Sequence, residues 1–203
     1  MDGNQAIQTL SQMRTGRSRR ISSYDRSGGN KDFFSINPGD KQVIGHIAGA
    51  GCIKHIWMTM ANDGLVQEEF LPRKIVIRMY WDGEKKPSVE VPLGDFFGMG
   101  HGLTRNYTSA CLMMSPEDGK AMNCFFSMPY AIGATFEIES EADLPIKFYF
   151  YINYEEYDKL PDDQLRFHAQ WNRECPTDGL TDINVDNAYY EFGGKNTTGD
   201  GNY

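Results

Sequence analysis

An all-β domain is what this sequence predicts, and three observations carry that expectation. Residues 73–81 alternate, with Ile75, Ile77, Met79 and Trp81 on one face and Lys74, Val76, Arg78 and Tyr80 on the other. Residues 146–153 repeat the pattern, with Ile146, Phe148, Phe150 and Ile152 against Lys147, Tyr149, Tyr151 and Asn153. Turn signals break the chain at short intervals, among them Ile36-Asn37-Pro38-Gly39-Asp40 and Asp82-Gly83. About eight such segments fall within about 110 residues and helical signals between them are weak, which fits a sandwich, a jelly roll or a barrel and leaves the three open.

The elements follow in order. Ala6, Ile7, Leu10 and Met13 have helical spacing and predict a short amphipathic helix near the start. Residues 14–32 are polar and glycine-rich, and Arg14, Arg17, Arg19 and Arg20 read as a solvated arm before the domain. Strands over 42–48 and 52–60 flank Gly49-Ala50-Gly51, which predicts a hairpin. After the strand at 73–81, residues 87–92, 108–114, 121–127, 132–140 and 146–153 complete the set. The charged stretch 155–171 suits a short helix or an extended arm. The glycine-rich end, 193–203, stops where a chain would enter its next strand. The expected organisation is a helical arm over 1–16 and one β domain over 17–203.

Composition narrows the function. Hydrophobic residues make up 40% of the 203 and aromatic residues 13%, enough for a packed core and for rings at a ligand site. The net charge is -8 and the pI about 5.0, a field that repels nucleic acid. No apolar run reaches the ~20 residues of a membrane span, and Met1-Asp2-Gly3-Asn4 lacks the basic and apolar regions of a secretion signal, so the expected location is the cytoplasm. Cys52, Cys111, Cys124 and Cys175 are too scattered for a zinc or redox pair, as are His46, His55, His101 and His168. No metal and no cofactor is expected.

Two constellations could carry chemistry. Residues 19–34 set Tyr24, Asp25, Arg26, Asn30 and Asp32 around the pair Gly28-Gly29. Sugar sites use this mixture, because carboxylates and amides bond hydroxyls while a ring covers the apolar sugar face. An ordinary polar turn is the plain alternative. Residues 80–102 hold Asp82, Glu84, Glu90, Asp95 and His101 in a loop-rich stretch that can rim a pocket. Glycoside hydrolysis needs two carboxylates at a defined separation, and the sequence sets none. A nucleophile elbow and a phosphate loop are absent.

The stretch Ser23-Tyr24-Asp25-Arg26-Ser27-Gly28-Gly29-Asn30 resembles a signature of glycoside hydrolase family 172, a bacterial family. Tyr80-Trp81-Asp82-Gly83 with the run from Pro87 to Gly98, and Asn123-Cys124-Phe125-Phe126-Ser127-Met128-Pro129-Tyr130, resemble two more. The resemblance runs over roughly 17–203. It implies a jelly-roll β-sandwich, the first of two in tandem, and retaining hydrolysis of furanosides such as α-D-fructofuranose and D-arabinofuranose linkages. It also implies homo-oligomers, trimers or hexamers, and no cofactor. The family's two catalytic glutamates belong to the second jelly roll, so no catalytic residue maps here and activity of this chain alone is left open. The residues carried over as substrate contacts are Asp25, Arg26 and Asn30, with Asp32 and Trp81 beside them. A non-catalytic carbohydrate-binding module and a structural assembly domain are the alternatives.

Overall fold

The computed structural model describes residues 11, 14, 16–62, 64 and 66–173. The expected N-terminal helix and the glycine-rich end lie outside the described residues. The chain divides into two compact units, Met1–Ala169 and Gln170–Tyr203, and the sandwich is the first of them.

Alternation builds its two layers. In order, the strands are β1 (Arg17–Ser22), β2 (Phe34–Ile36), β3 (Lys41–Ala48), β4 (Ala50–Asn62), β5 (Ile75–Trp81), β6 (Val89–Pro92), β7 (Tyr107–Thr108), β8 (Leu112–Met114), β9 (Met122–Cys124), β10 (Met128–Tyr130), β11 (Gly133–Ser140) and β12 (Ile146–Tyr157). One helical turn, α1 (Leu93–Phe96), follows β6. The larger sheet runs β1-β12-β4-β9-β8-β7, with β10 beside β4 and β2 beside β12. The smaller sheet runs β6-β5-β11-β3, and Ala169 donates its N–H to the Ser88 carbonyl at 3.1 Å beside β6.

β5 is buried at every second residue, so Ile75, Ile77, Met79 and Trp81 enter the core with Phe136 and Ile138 of β11. From the larger sheet come Ile53, Ile56 and Met58 of β4 and Phe148, Phe150 and Ile152 of β12. Two sheets each present one apolar face, and stacking those faces removes both from water; each large side chain contributes about 1.5–3 kcal/mol. The fold is thus the predicted β-sandwich. No described helix is long and apolar enough to cross a membrane.

Five local expectations change. The predicted hairpin at Gly49-Ala50-Gly51 is a corner: β3 pairs with β11 in one sheet, while β4 pairs with β12, β9 and β10 in the other. Gly49, at φ +87°, makes the bend and donates to the Ile132 carbonyl at 2.8 Å. The solvated arm is edge strand β1, held by Arg14–Glu155 at 3.1 Å and Arg19–Glu156 at 3.0 Å. The single strand over 108–114 is the short hairpin β7–β8, and that over 121–127 is β9 alone, with β10 set on β4 at 128–130. The charged stretch begins as strand, since β12 reaches Tyr157. Asp82-Gly83 is a turn as predicted: both residues have positive φ and the Glu84 N–H bonds the Trp81 carbonyl at 3.0 Å.

Candidate functional site

The turn between β1 and β2 is fastened to the sheet by Ser23. Its hydroxyl donates to the Asp32 carbonyl at 2.8 Å and accepts the Phe150 N–H at 3.0 Å, so one buried oxygen ties both ends of the turn to β12. Asp25 then shapes the loop. It accepts from the Ser27 hydroxyl at 2.6 Å, the Ser27 N–H at 2.9 Å and the Lys31 N–H at 3.0 Å. The Ser27 hydroxyl, followed by those N–H groups, holds the Asp25 carboxyl below its ordinary range. Gly28 takes φ +79° at the tip, and a Cβ on Gly29 would strike the Asp25 carboxylate. Asp32 accepts the Asp25 N–H at 2.7 Å, Arg26 lies over Tyr24 at 5.9 Å, and Asn30 is exposed at the tip.

Beside this turn, on the outer face of the larger sheet, lies a cleft of about 200 Å³ lined by Ser23, Tyr24, Asp32, Trp57, Tyr149 and Tyr151. Its aromatic floor follows from strand register. Trp57 on β4 sits opposite Tyr151 on β12, and their rings stack at 4.9 Å. Tyr149 packs against Phe33 at 5.6 Å. Arg20 on β1 covers Tyr151, its guanidinium carbon 4.5 Å from the ring centre.

A polar chain supports this face. Arg20 Nε donates to Asn153 Oδ1 at 2.7 Å. The amide nitrogen of Asn153 therefore meets His55 Nδ1, at 2.9 Å, and His55 Nε2 lies 3.1 Å from Asn123 Oδ1. This order makes Nδ1 the acceptor and Nε2 the donor. Phe125 stacks on the imidazole at 4.7 Å.

The structure thus brings Asp32 into the cleft, with Asp25, Arg26 and Asn30 on the adjoining turn, and does not bring Trp81 there. Trp81 lies on the other sheet, 1% exposed, with its indole N–H donated to the Phe167 carbonyl at 2.7 Å. Trp57, Tyr149, Tyr151 and Arg20 escaped the sequence reading. The outward set of 146–153 already contained two of them, but only the pairing of β12 with β4 and β1 reveals the cluster.

The other carboxylates are committed elsewhere. Asp95 forms a two-pronged pair with Arg73 at 2.8 and 2.9 Å, and Glu90 pairs with Arg78 at 2.6 Å. Asp82 accepts the N–H groups of Ala131 and Ile132, both at 2.7 Å, and pairs with Arg166 at 2.6 Å. Burial works to raise its pKa, yet these partners outweigh it and the net shift is downward. Glu84 accepts from the N–H groups of Trp81 and Ser88 and from the Ser88 hydroxyl. A glycosidic general acid needs the opposite of the shift at Asp82, a carboxyl pushed upward.

A larger cavity, about 640 Å³, adjoins Cys52, Lys54, Glu155 and Tyr157. Its charges are matched internally: Glu155 takes Arg14 at 3.1 Å, the Tyr157 hydroxyl at 2.7 Å and Lys54 at 3.5 Å. The smaller cleft is the better candidate, because its lining is mostly aromatic and it adjoins the turn that bears Asp25, Arg26, Asn30 and Asp32.

Comparison with known proteins agrees with the β-sandwich fold. The family model described as the GH172 first beta-sandwich domain matches residues 14–166. The comparison with curated proteins finds no match. Among solved structures, the crystal structure of the infectious bursal disease virus VP2 subviral particle is similar at TM-score 0.38 and 8% identity. That match covers 71% of this chain and 33% of the viral chain, a likeness too slight to bear on function.

Proposed function

Since the chain belongs to glycoside hydrolase family 172 and carries its first β-sandwich domain, we propose that this domain supplies substrate contacts to a furanoside-cleaving enzyme. A carbohydrate substrate in general follows from the family; the furanose ring and the contacts are this reading. The observation that carries it is the aromatic cleft of Trp57, Tyr149 and Tyr151 beside the turn that bears Asp25, Arg26, Asn30 and Asp32. Rings stack on the apolar face of a sugar, while carboxylate and amide groups bond its hydroxyls. The cleaving carboxylate pair comes from elsewhere in the enzyme, since Asp82, Glu84, Glu90 and Asp95 are engaged structurally here. Trp81 serves the core.

The test is titration of the 203-residue chain with sucrose and longer fructofuranose oligosaccharides, read by tryptophan fluorescence and calorimetry. Saturable binding that weakens at least fivefold in Tyr151→Ala and in Asp32→Asn supports the reading. Absence of heat and of a fluorescence change at millimolar ligand would sink it.

A second reading, a homo-oligomer interface, is favoured by Phe125 and Phe126, which stand 47% and 37% exposed on adjacent residues. Light scattering that reports a monomer at every concentration removes it for this chain.

A further inference from the structure

The arginines of β1 and the one before it do not share one fate. Arg14 pairs with Glu155, Arg17 with Glu156 and Asp158, and Arg19 with Glu156. Arg20 instead gives its Nε to the neutral amide of Asn153, and its guanidinium lies on Tyr151. Its charge is not cancelled, and its two terminal nitrogens keep their donors. Arg26 rests on Tyr24, itself a lining residue. Among the described residues neither arginine takes part in an ion pair. Lys31 adds a third cation, over Phe33 at 5.8 Å.

The nearby acids offset them only in part: Asp25 and Asp32 accept bonds from neutral donors and keep their charge, two carboxylates against the three cations. A chain of net charge -8 therefore sets three cations against two carboxylates around a ring-lined cleft, with Arg20 and Arg26 each on one of its lining rings.

Resting on the carbohydrate reading above, we infer that the cleft takes a furanoside carrying an oxyanion, phosphate or carboxylate, with Arg20 and Arg26 gripping the anionic group while Trp57 and Tyr151 hold the sugar ring. Guanidinium forks match the geometry of phosphate and carboxylate oxygens, and stacking on a ring fixes the fork before the ligand arrives. The cleft's volume of about 200 Å³ suits one ring with its substituent. A nucleic-acid strand would need a track of cations, whereas the cations here gather at one cleft.

The experiment compares four ligands on the full 203-residue chain by tryptophan fluorescence at low salt: sucrose phosphorylated on its fructose ring, sucrose, inorganic phosphate and oligo-dT. Expected is about tenfold tighter binding of the phosphorylated sugar than of sucrose or phosphate alone. Arg20→Gln and Arg26→Gln should each erase most of that preference and flatten its salt dependence. Both positions are exposed, and thermal melts confirm that the variants fold. Equal affinity for sucrose and its phosphate overturns the charge inference and leaves the carbohydrate reading intact. Binding of phosphate as tight as that of the sugar phosphate also overturns it, as mere anion capture. Tighter binding of oligo-dT overturns it in favour of a nucleic-acid surface. No binding of any ligand overturns both readings.

Discussion

Ser23 and Phe150 are bonded twice across the edge of the larger sheet. The Ser23 N–H reaches the Phe150 carbonyl at 3.1 Å, and the Phe150 N–H reaches the Ser23 hydroxyl at 3.0 Å. A third bond, from that hydroxyl to the Asp32 carbonyl, closes the turn. Ser23→Ala leaves the Phe150 N–H buried without its acceptor. A loss of about 1–3 kcal/mol follows, measured by urea unfolding. Sugar affinity should fall as well, because the turn loses its anchor; unchanged affinity would detach the turn from the cleft.

Asp82 gives a pH prediction. Its folded pKa lies below the ordinary 3.8, so the carboxylate stabilises the fold above that value. The contribution is lost as pH falls below 3.8 and through the depressed folded value. Asp82→Asn weakens the contacts to Ala131, Ile132 and Arg166, and should cost about 1–3 kcal/mol at neutral pH. The gap between variant and wild type should close on acidification. A gap independent of pH would contradict the assignment.

Gly51 tests the packing of β10 on β4. A Cβ there would strike the Tyr130 hydroxyl and lie 2.5 Å from the Glu155 carbonyl. Gly51→Ala should therefore destabilise by about 1–3 kcal/mol, seen as a lower midpoint in thermal unfolding.

Trp81→Phe separates core from cleft. The ring's bulk is largely kept while its bond to the Phe167 carbonyl is lost, which should cost about 1–2 kcal/mol. Carbohydrate affinity should not change. A fall in affinity without a fall in stability would return Trp81 to the binding surface.

Thiol labelling reads burial directly. Cys124 is buried, and that burial pushes its pKa up to about 11, so it should react far more slowly than half-buried Cys111. Peptide mapping after brief alkylation distinguishes the two.

The β segments were legible where one face is apolar. β5, β11 and β12 declared themselves through Ile75 to Trp81, Phe136 to Ile138 and Ile146 to Ile152, because a side-chain period of two is written in the sequence itself. β1 was not legible, since Arg17, Ser18, Arg19 and Arg20 show no apolar face, and its partner strand begins more than a hundred residues later. Nor was the corner at Gly49, because a glycine turn looks the same whether the next strand stays in the sheet or leaves it. The polar half of the site, Asp25 to Asp32, was visible as composition. Its aromatic half arises only when Trp57 and Tyr151 meet in register.

The corner at Gly49 also bears on how the molecule assembles. Consecutive strands β3 and β4 belong to opposite layers, and β1 finds β12 across nearly the whole described chain. Few early local pairings are therefore available, and distant segments must meet before much surface is buried. Slow folding, on the millisecond-to-second scale of β-sandwiches, follows from that wiring. So does a single cooperative transition for this unit, because neither layer can be completed while the other remains a loose chain.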